Sequence, residues 1–197
     1  MTKKINTSHI LLCGFLLFCI SFLVSKESFA RDLGCKWINE NNPVTFDVNF
    51  NDVWKNAIIA GMNTWNSVDS KVPMSVTSDG NSSSNDITAV NDTTVTWVGK
   101  MFPTTYPGGG WTYLSQADIS FNLRYSFSST AEVGKYDIQS VATHELGHAI
   151  GIAHCHDSDS AHLSSDSTFT MYNYSFTNST IARTLESYDI NSKTTIY

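Results

Sequence analysis

The chain has 197 residues, 41% of them hydrophobic and 15% charged, with 11 Phe, 8 Tyr and 5 Trp. That is enough apolar mass for one core, too little chain for two full domains, and too aromatic a composition for disorder. Lys plus Arg total 12 against 18 Asp plus Glu, a net charge of −6; an acidic chain without basic blocks repels phosphate, so nucleic acid is not an expected partner.

The only long apolar run is N-terminal, which excludes a multi-span membrane protein. Lys3 and Lys4 precede a greasy stretch from Ile10 to Val24, and a short polar segment then ends in Ser28-Phe29-Ala30. A basic flank, an apolar centre and small residues at −3 and −1 predict a secretory signal over 1–30, cleaved after Ala30. The alternative is a retained anchor, but about 15 apolar residues fall short of the ~20 that span a bilayer. Cys35 is not a lipoprotein cysteine, because Asp32 stands where an aliphatic residue is needed. Cleavage leaves a mature domain over 31–197, secreted to the extracellular space or periplasm and free of the membrane.

In the mature chain, strand patterns fall at Val44–Phe50, Met74–Thr77, Asp86–Val90, Thr94–Val98 and Ala117–Asn122. A first helix is predicted from Asp52 to about Val68, capped by Asn51 or Asp52. Val53, Trp54, Ala57, Ile58, Gly61, Met62 and Trp65 form its apolar stripe. A second runs from Asp137, its cap, to about Ile150 and stops at Gly151. A third, capped by Thr184, occupies Leu185 to the end. Ser78–Asn85, Pro103–Gly110 and 158–168 read as loops. Strands come first and helices dominate later, an α+β pattern.

The second helix carries the chemistry. Residues 144–154 read His-Glu-Leu-Gly-His-Ala-Ile-Gly-Ile-Ala-His. Four helical steps turn about 400° and rise about 6 Å, so His144 and His148 point the same way, one turn apart. That is a two-nitrogen clamp for zinc. Gly151 tolerates the left-handed conformation of an abrupt turn, which can return His154 to the same ion. Three neutral nitrogens leave a fourth position for water, the arrangement of one catalytic Zn2+. Glu145 would stand beside the metal, able to take a proton from zinc-activated water and return one to a leaving amine. A polar helix with three incidental histidines would leave their alignment on an otherwise apolar helix unexplained.

At these residues the chain resembles the metzincin metalloproteases, and within them the matrixin family, particularly its small bacterial-type catalytic domains. The run Tyr136-Asp137-Ile138-Gln139-Ser140-Val141-Ala142-Thr143 is similar to that family's entry into the active-site helix. Trp37, the helix through Trp54 and Trp65, Ser84-Asn85-Asp86-Ile87, Ala117-Asp118-Ile119-Ser120-Phe121-Asn122 and Tyr188-Asp189-Ile190-Asn191 also match. The resemblance implies a larger N-terminal part with a twisted, mostly parallel sheet and two helices, then a small C-terminal part, with the cleft between. It implies zinc endopeptidase activity on protein or peptide substrates, held along an edge strand; the chain is expected to be a monomer. It also implies a methionine turn beneath the metal, for which Thr170-Met171-Tyr172 is the match. Some relatives have a zinc-reaching tyrosine two residues later; here that position is Asn173. Asp32-Leu33-Gly34-Cys35 does not resemble the family's cysteine switch, and Cys155 stands where many matrixins have serine. Structural Ca2+ has no readable ligand pattern. His156, Asp157, Asp159 and His162 read as a solvated polar loop, with a second ion as the alternative.

Cys35 and Cys155 are the only mature thiols, and export predicts a disulfide between them. The alternatives are a Cys35 thiolate on the zinc and two buried, unpaired thiols. Two rival functions stand beside the endopeptidase: a secreted zinc-binding protein without turnover, and a zinc hydrolase of a non-peptide amide.

Overall fold

A computed structural model describes residues 32–77, 82–155 and 164–197. The predicted signal segment and the His156, Asp157, Asp159 and His162 group lie outside the described residues. No helix among the described residues is long and apolar enough to cross a membrane.

The chain enters through β1 (Cys35–Trp37) and β2 (Val44–Val48), followed by α1 (Asp52–Asn66). Asn51 caps α1 by accepting the Trp54 N–H, as its side-chain chemistry requires. Ile58, Gly61, Met62 and Trp65 of the predicted stripe are buried, but Val53, in the first turn, is 57% exposed. β3 (Met74–Val76) and β4 (Asp86–Val90) follow at their predicted places.

The next stretch departs from expectation. Thr94–Val98 is not a strand. Side chains take three of its carbonyls in place of a ladder: the Arg124 guanidinium donates to Val95, and also to the preceding Thr93, Tyr125 Oη to Thr96 and Asn122 Nδ2 to Trp97. The Pro-rich segment predicted as a loop is instead β5 (Gly99–Gly108), antiparallel to β6 (Trp111–Asn122). Proline is tolerated because β5 is an edge strand, and Gly109 and Gly110, at φ +55° and +85°, make its tight two-residue turn.

The sheet runs β3–β2–β4–β6–β5, with β1 beside the first half of β6. Every pairing is parallel except β5 with β6. Phe46, Ile87, Ile119 and Phe121 join Ile58, Met62, Trp65 and Leu146 in one core between the sheet and the helices. Two short strands, β7 (Phe127–Ser128) and β8 (Tyr136–Asp137), lead into α2 (Ile138–Ala149). Asp137 caps α2 through the Ser140 N–H, and the Arg183 guanidinium grips the same carboxylate at 2.9 and 2.5 Å. The chain closes with short 3-10 turns at Ser164–Thr168 and Ile181–Arg183 and with α3 (Ser187–Ile196). α3 starts two residues later than predicted, at the Glu186 cap rather than Thr184, because Asp189 reaches back to the Glu186 N–H at 2.9 Å. The whole is the expected α+β arrangement with a mostly parallel sheet.

The predicted disulfide is not formed. Cys35 and Cys155 are two separate buried thiols. Cys155 belongs to the main core and its N–H bonds the Met171 carbonyl. Cys35 instead lines a small recess with Lys36, Trp111 and Ile196. Burial, and then the Asp32 carboxylate, push the Cys35 thiol upward in pKa.

Candidate metal centre

α2 presents His144 and His148 one turn apart, and the chain turns sharply at Gly151, φ +85°. The turn brings His154 Nε2 within 3.1 Å of His144 Nε2 and 3.0 Å of His148 Nε2. Nitrogens at zinc-bond distance from a shared tetrahedral centre stand about 3.3–3.4 Å apart, so this spacing fits one ion and the three residues could hold a metal.

Protonation supports the fit. His144 Nδ1 lies 2.6 Å from the Thr170 carbonyl and His148 Nδ1 2.7 Å from the Ile152 carbonyl. A carbonyl only accepts, so each Nδ1 carries the proton and each Nε2 offers a lone pair. These two lone pairs face His154 Nε2 at 3.1 and 3.0 Å, an arrangement that a shared cation would satisfy. Burial first, then the neighbouring imidazoles, hold His148 well below the ordinary imidazole pKa, in its neutral, ligating form.

Glu145 points to the same cleft and is only 5% exposed. Burial pushes its carboxyl up to about 8, opposed by the Met101 backbone and Lys100. Gly99 makes the room: a Cβ there would stand 2.6 Å from Val141 Cγ1 and 3.0 Å from Glu145 Oε1. The cleft, roughly 480 Å³, is walled by β5 residues Gly99–Met101 and Pro103 on one side and by Asn173–Ser175 on the other.

Met171 is fully buried, with its sulfur against Gly147 of α2. Asp189, also buried, holds its turn: the carboxylate accepts from the Thr170 and Met171 N–H groups, each at 3.0 Å. The Thr170 carbonyl in turn accepts a hydrogen bond from His144 Nδ1, so α3 orients the His144 imidazole through two hydrogen bonds in series. The structure thus gathers His144, Glu145, His148, His154 and Met171, with the Cys155 N–H on the Met171 carbonyl, and places Cys35 in a separate recess. Sequence reasoning missed Gly99, Gly147 and Asp189 as supports. Asp189 had a signal, an acidic residue three positions after a helix cap; the glycines had none without their neighbours.

A helix-borne histidine pair, a third histidine after a glycine turn and a methionine turn below define a metzincin. The matrixin family model matches residues 45–197, and the chain belongs to the matrixin family. Membership implies a zinc-using metalloprotease with peptide substrates. No curated protein matches the chain.

Proposed function

We propose that this chain is a secreted zinc endopeptidase, with His144, His148 and His154 as metal ligands and Glu145 as general base and acid. The observation that carries the reading is the convergence of three Nε2 atoms beside the buried Glu145 carboxyl. When bound, zinc supplies a Lewis acid that polarises a carbonyl and makes water more acidic. The chain's own residues do the rest. β5 pairs only with β6 among the described residues, so its outer edge is open to an extended peptide beside the cleft. Glu145 takes a proton from the attacking water and returns it to the leaving amine. Burial favours its protonated form, whereas a cation on the imidazoles and the Lys100 ammonium favour the carboxylate, so both states are accessible during turnover.

Export rests on the leader at 1–30, and a monomeric extracellular or periplasmic enzyme is part of the proposal. A casein or gelatin zymogram of purified protein, with and without zinc, tests it. A clear band that a chelator abolishes and zinc restores supports proteolysis. Zinc uptake with no cleavage of any peptide in a random library would favour a binding protein or a non-peptide hydrolase instead.

A further inference from the structure

The turn between the second and third histidines is held from outside α2. The last carbonyls of a helix have no intrahelical partner. Here the carbonyls of Leu146, Gly147 and His148 are met by N–H groups of the turn itself, while those of the next three residues receive distant donors. The Ala149 carbonyl accepts from Trp37 Nε1 at 2.8 Å, that of Ile150 from Tyr197 Oη at 3.0 Å, and that of Gly151 from the Leu33 N–H at 2.8 Å. Asp32 pairs antiparallel with Ile152, whose carbonyl takes the His148 Nδ1 proton. Tyr197 Oη is also the acceptor for the Trp37 N–H at 3.2 Å, so the two ends of the described chain meet on this turn. The approach is close: a Cβ at Gly151 would come within 2.4 Å of the Cys35 carbonyl oxygen. Leu33 itself lines the cleft together with His148 and His154.

We infer that Leu33, through its backbone N–H, and Tyr197, through its hydroxyl, are positioning residues of the metal centre: they clamp the turn at 149–152 and so hold His154 where its nitrogen meets the other two. The argument is geometric. His154 follows the clamped turn by two residues, and the turn cannot slide without breaking the Gly151 and Ile150 contacts. The inference rests on the reading that the triad binds a metal, and it gives the segment just after the predicted cleavage site a part in the site.

The test uses the full chain loaded with zinc or with cobalt. Wild type, Tyr197→Phe, Leu33→Pro and Leu33→Ala are compared by rate of metal loss to a chromogenic chelator, by the cobalt absorption spectrum and by urea unfolding. Tyr197→Phe and Leu33→Pro each remove one donor to the turn and should release metal about tenfold or more faster, with a changed cobalt spectrum. Leu33→Ala loses the side chain but keeps the N–H, and should release metal more slowly than Leu33→Pro. Release and spectrum unchanged in both donor-deleting variants would overturn the inference while leaving the metal reading intact. If Leu33→Pro does not fold, Tyr197→Phe, a loss of one oxygen, decides alone. A wild-type protein that takes up no metal would overturn the metal reading, and the inference with it.

Discussion

The sulfur of Met171 lies directly against Gly147, so close that a Cβ on Gly147 would stand 2.3 Å from Met171 Sδ and 2.8 Å from Trp65 Cζ2. The residue before the second histidine is therefore glycine for packing, not for flexibility. The Met171 turn and the helix that bears His144 and His148 are in contact with no room between them.

Gly147→Ala should overpack this contact and cost about 1–3 kcal/mol, read as a lower urea midpoint in the metal-free protein. A midpoint equal to wild type would show that Met171 can move aside.

Asp189→Ala should be more damaging. It leaves the buried N–H groups of Thr170 and Met171, and that of Glu186, without their acceptor. Each unpaired buried donor costs on the order of 1–3 kcal/mol, so a loss of about 3 kcal/mol or more is expected by urea unfolding. Weaker metal retention should accompany it, because the Thr170 carbonyl orients His144. Full stability and full metal content in this variant would sink the support role.

Glu145→Gln should abolish peptide cleavage, leave bound zinc near one per chain by elemental analysis, and change the pH profile of stability. In the metal-free protein the Glu145 carboxyl is raised from 4.5 to about 8, so the folded chain binds that proton more tightly than the unfolded chain. The stabilisation is full below pH 4.5 and is lost as pH rises to about 8. Wild type should lose stability across that window and the variant should lose less. Identical slopes would mean that this carboxyl is not held protonated.

His148→Ala should remove a ligand, so zinc should fall well below one per chain even when the protein remains folded. In the metal-free protein burial keeps His148 neutral, and its depressed pKa makes stability fall as pH drops below the ordinary imidazole value of 6.5. Metal and activity should both decline on the acid side of about pH 6. Full zinc content in the alanine variant would contradict the three-histidine site.

The thiols give a chemical test of the fold. Alkylation of unfolded protein without reductant should label both Cys35 and Cys155, since the two are separate. In the folded protein Cys35 should react slowly, being buried and raised in pKa. A linked Cys35–Cys155 peptide in a non-reducing map would contradict the structure.

Chemistry that depends on local spacing was readable from the chain alone. His144 and His148 share a helix face because four residues make about one turn, and Gly151 marked the stop that returns His154. The caps at Asn51 and Asp137 were readable for the same reason, since a cap bonds within three residues of itself. Strands β2, β3 and β4 showed their apolar pattern directly. What required the folded molecule was whatever depends on partners distant in sequence. Pro103 and Pro107 argue for a loop until β5 is found at a sheet edge, where a missing N–H costs nothing. Thr94–Val98 alternates like a strand, yet Arg124, Tyr125 and Asn122 take its carbonyls. Two cysteines in an exported chain suggest a bond, but packing sends Cys155 into the core and Cys35 to a separate recess. Gly99, Gly147 and Asp189 carry no local mark of their roles. Each is defined by an atom from another element: the Glu145 carboxylate, the Met171 sulfur and the Thr170 amide. Local periodicity decides which side chains a helix presents together; only close packing of remote segments decides what supports them.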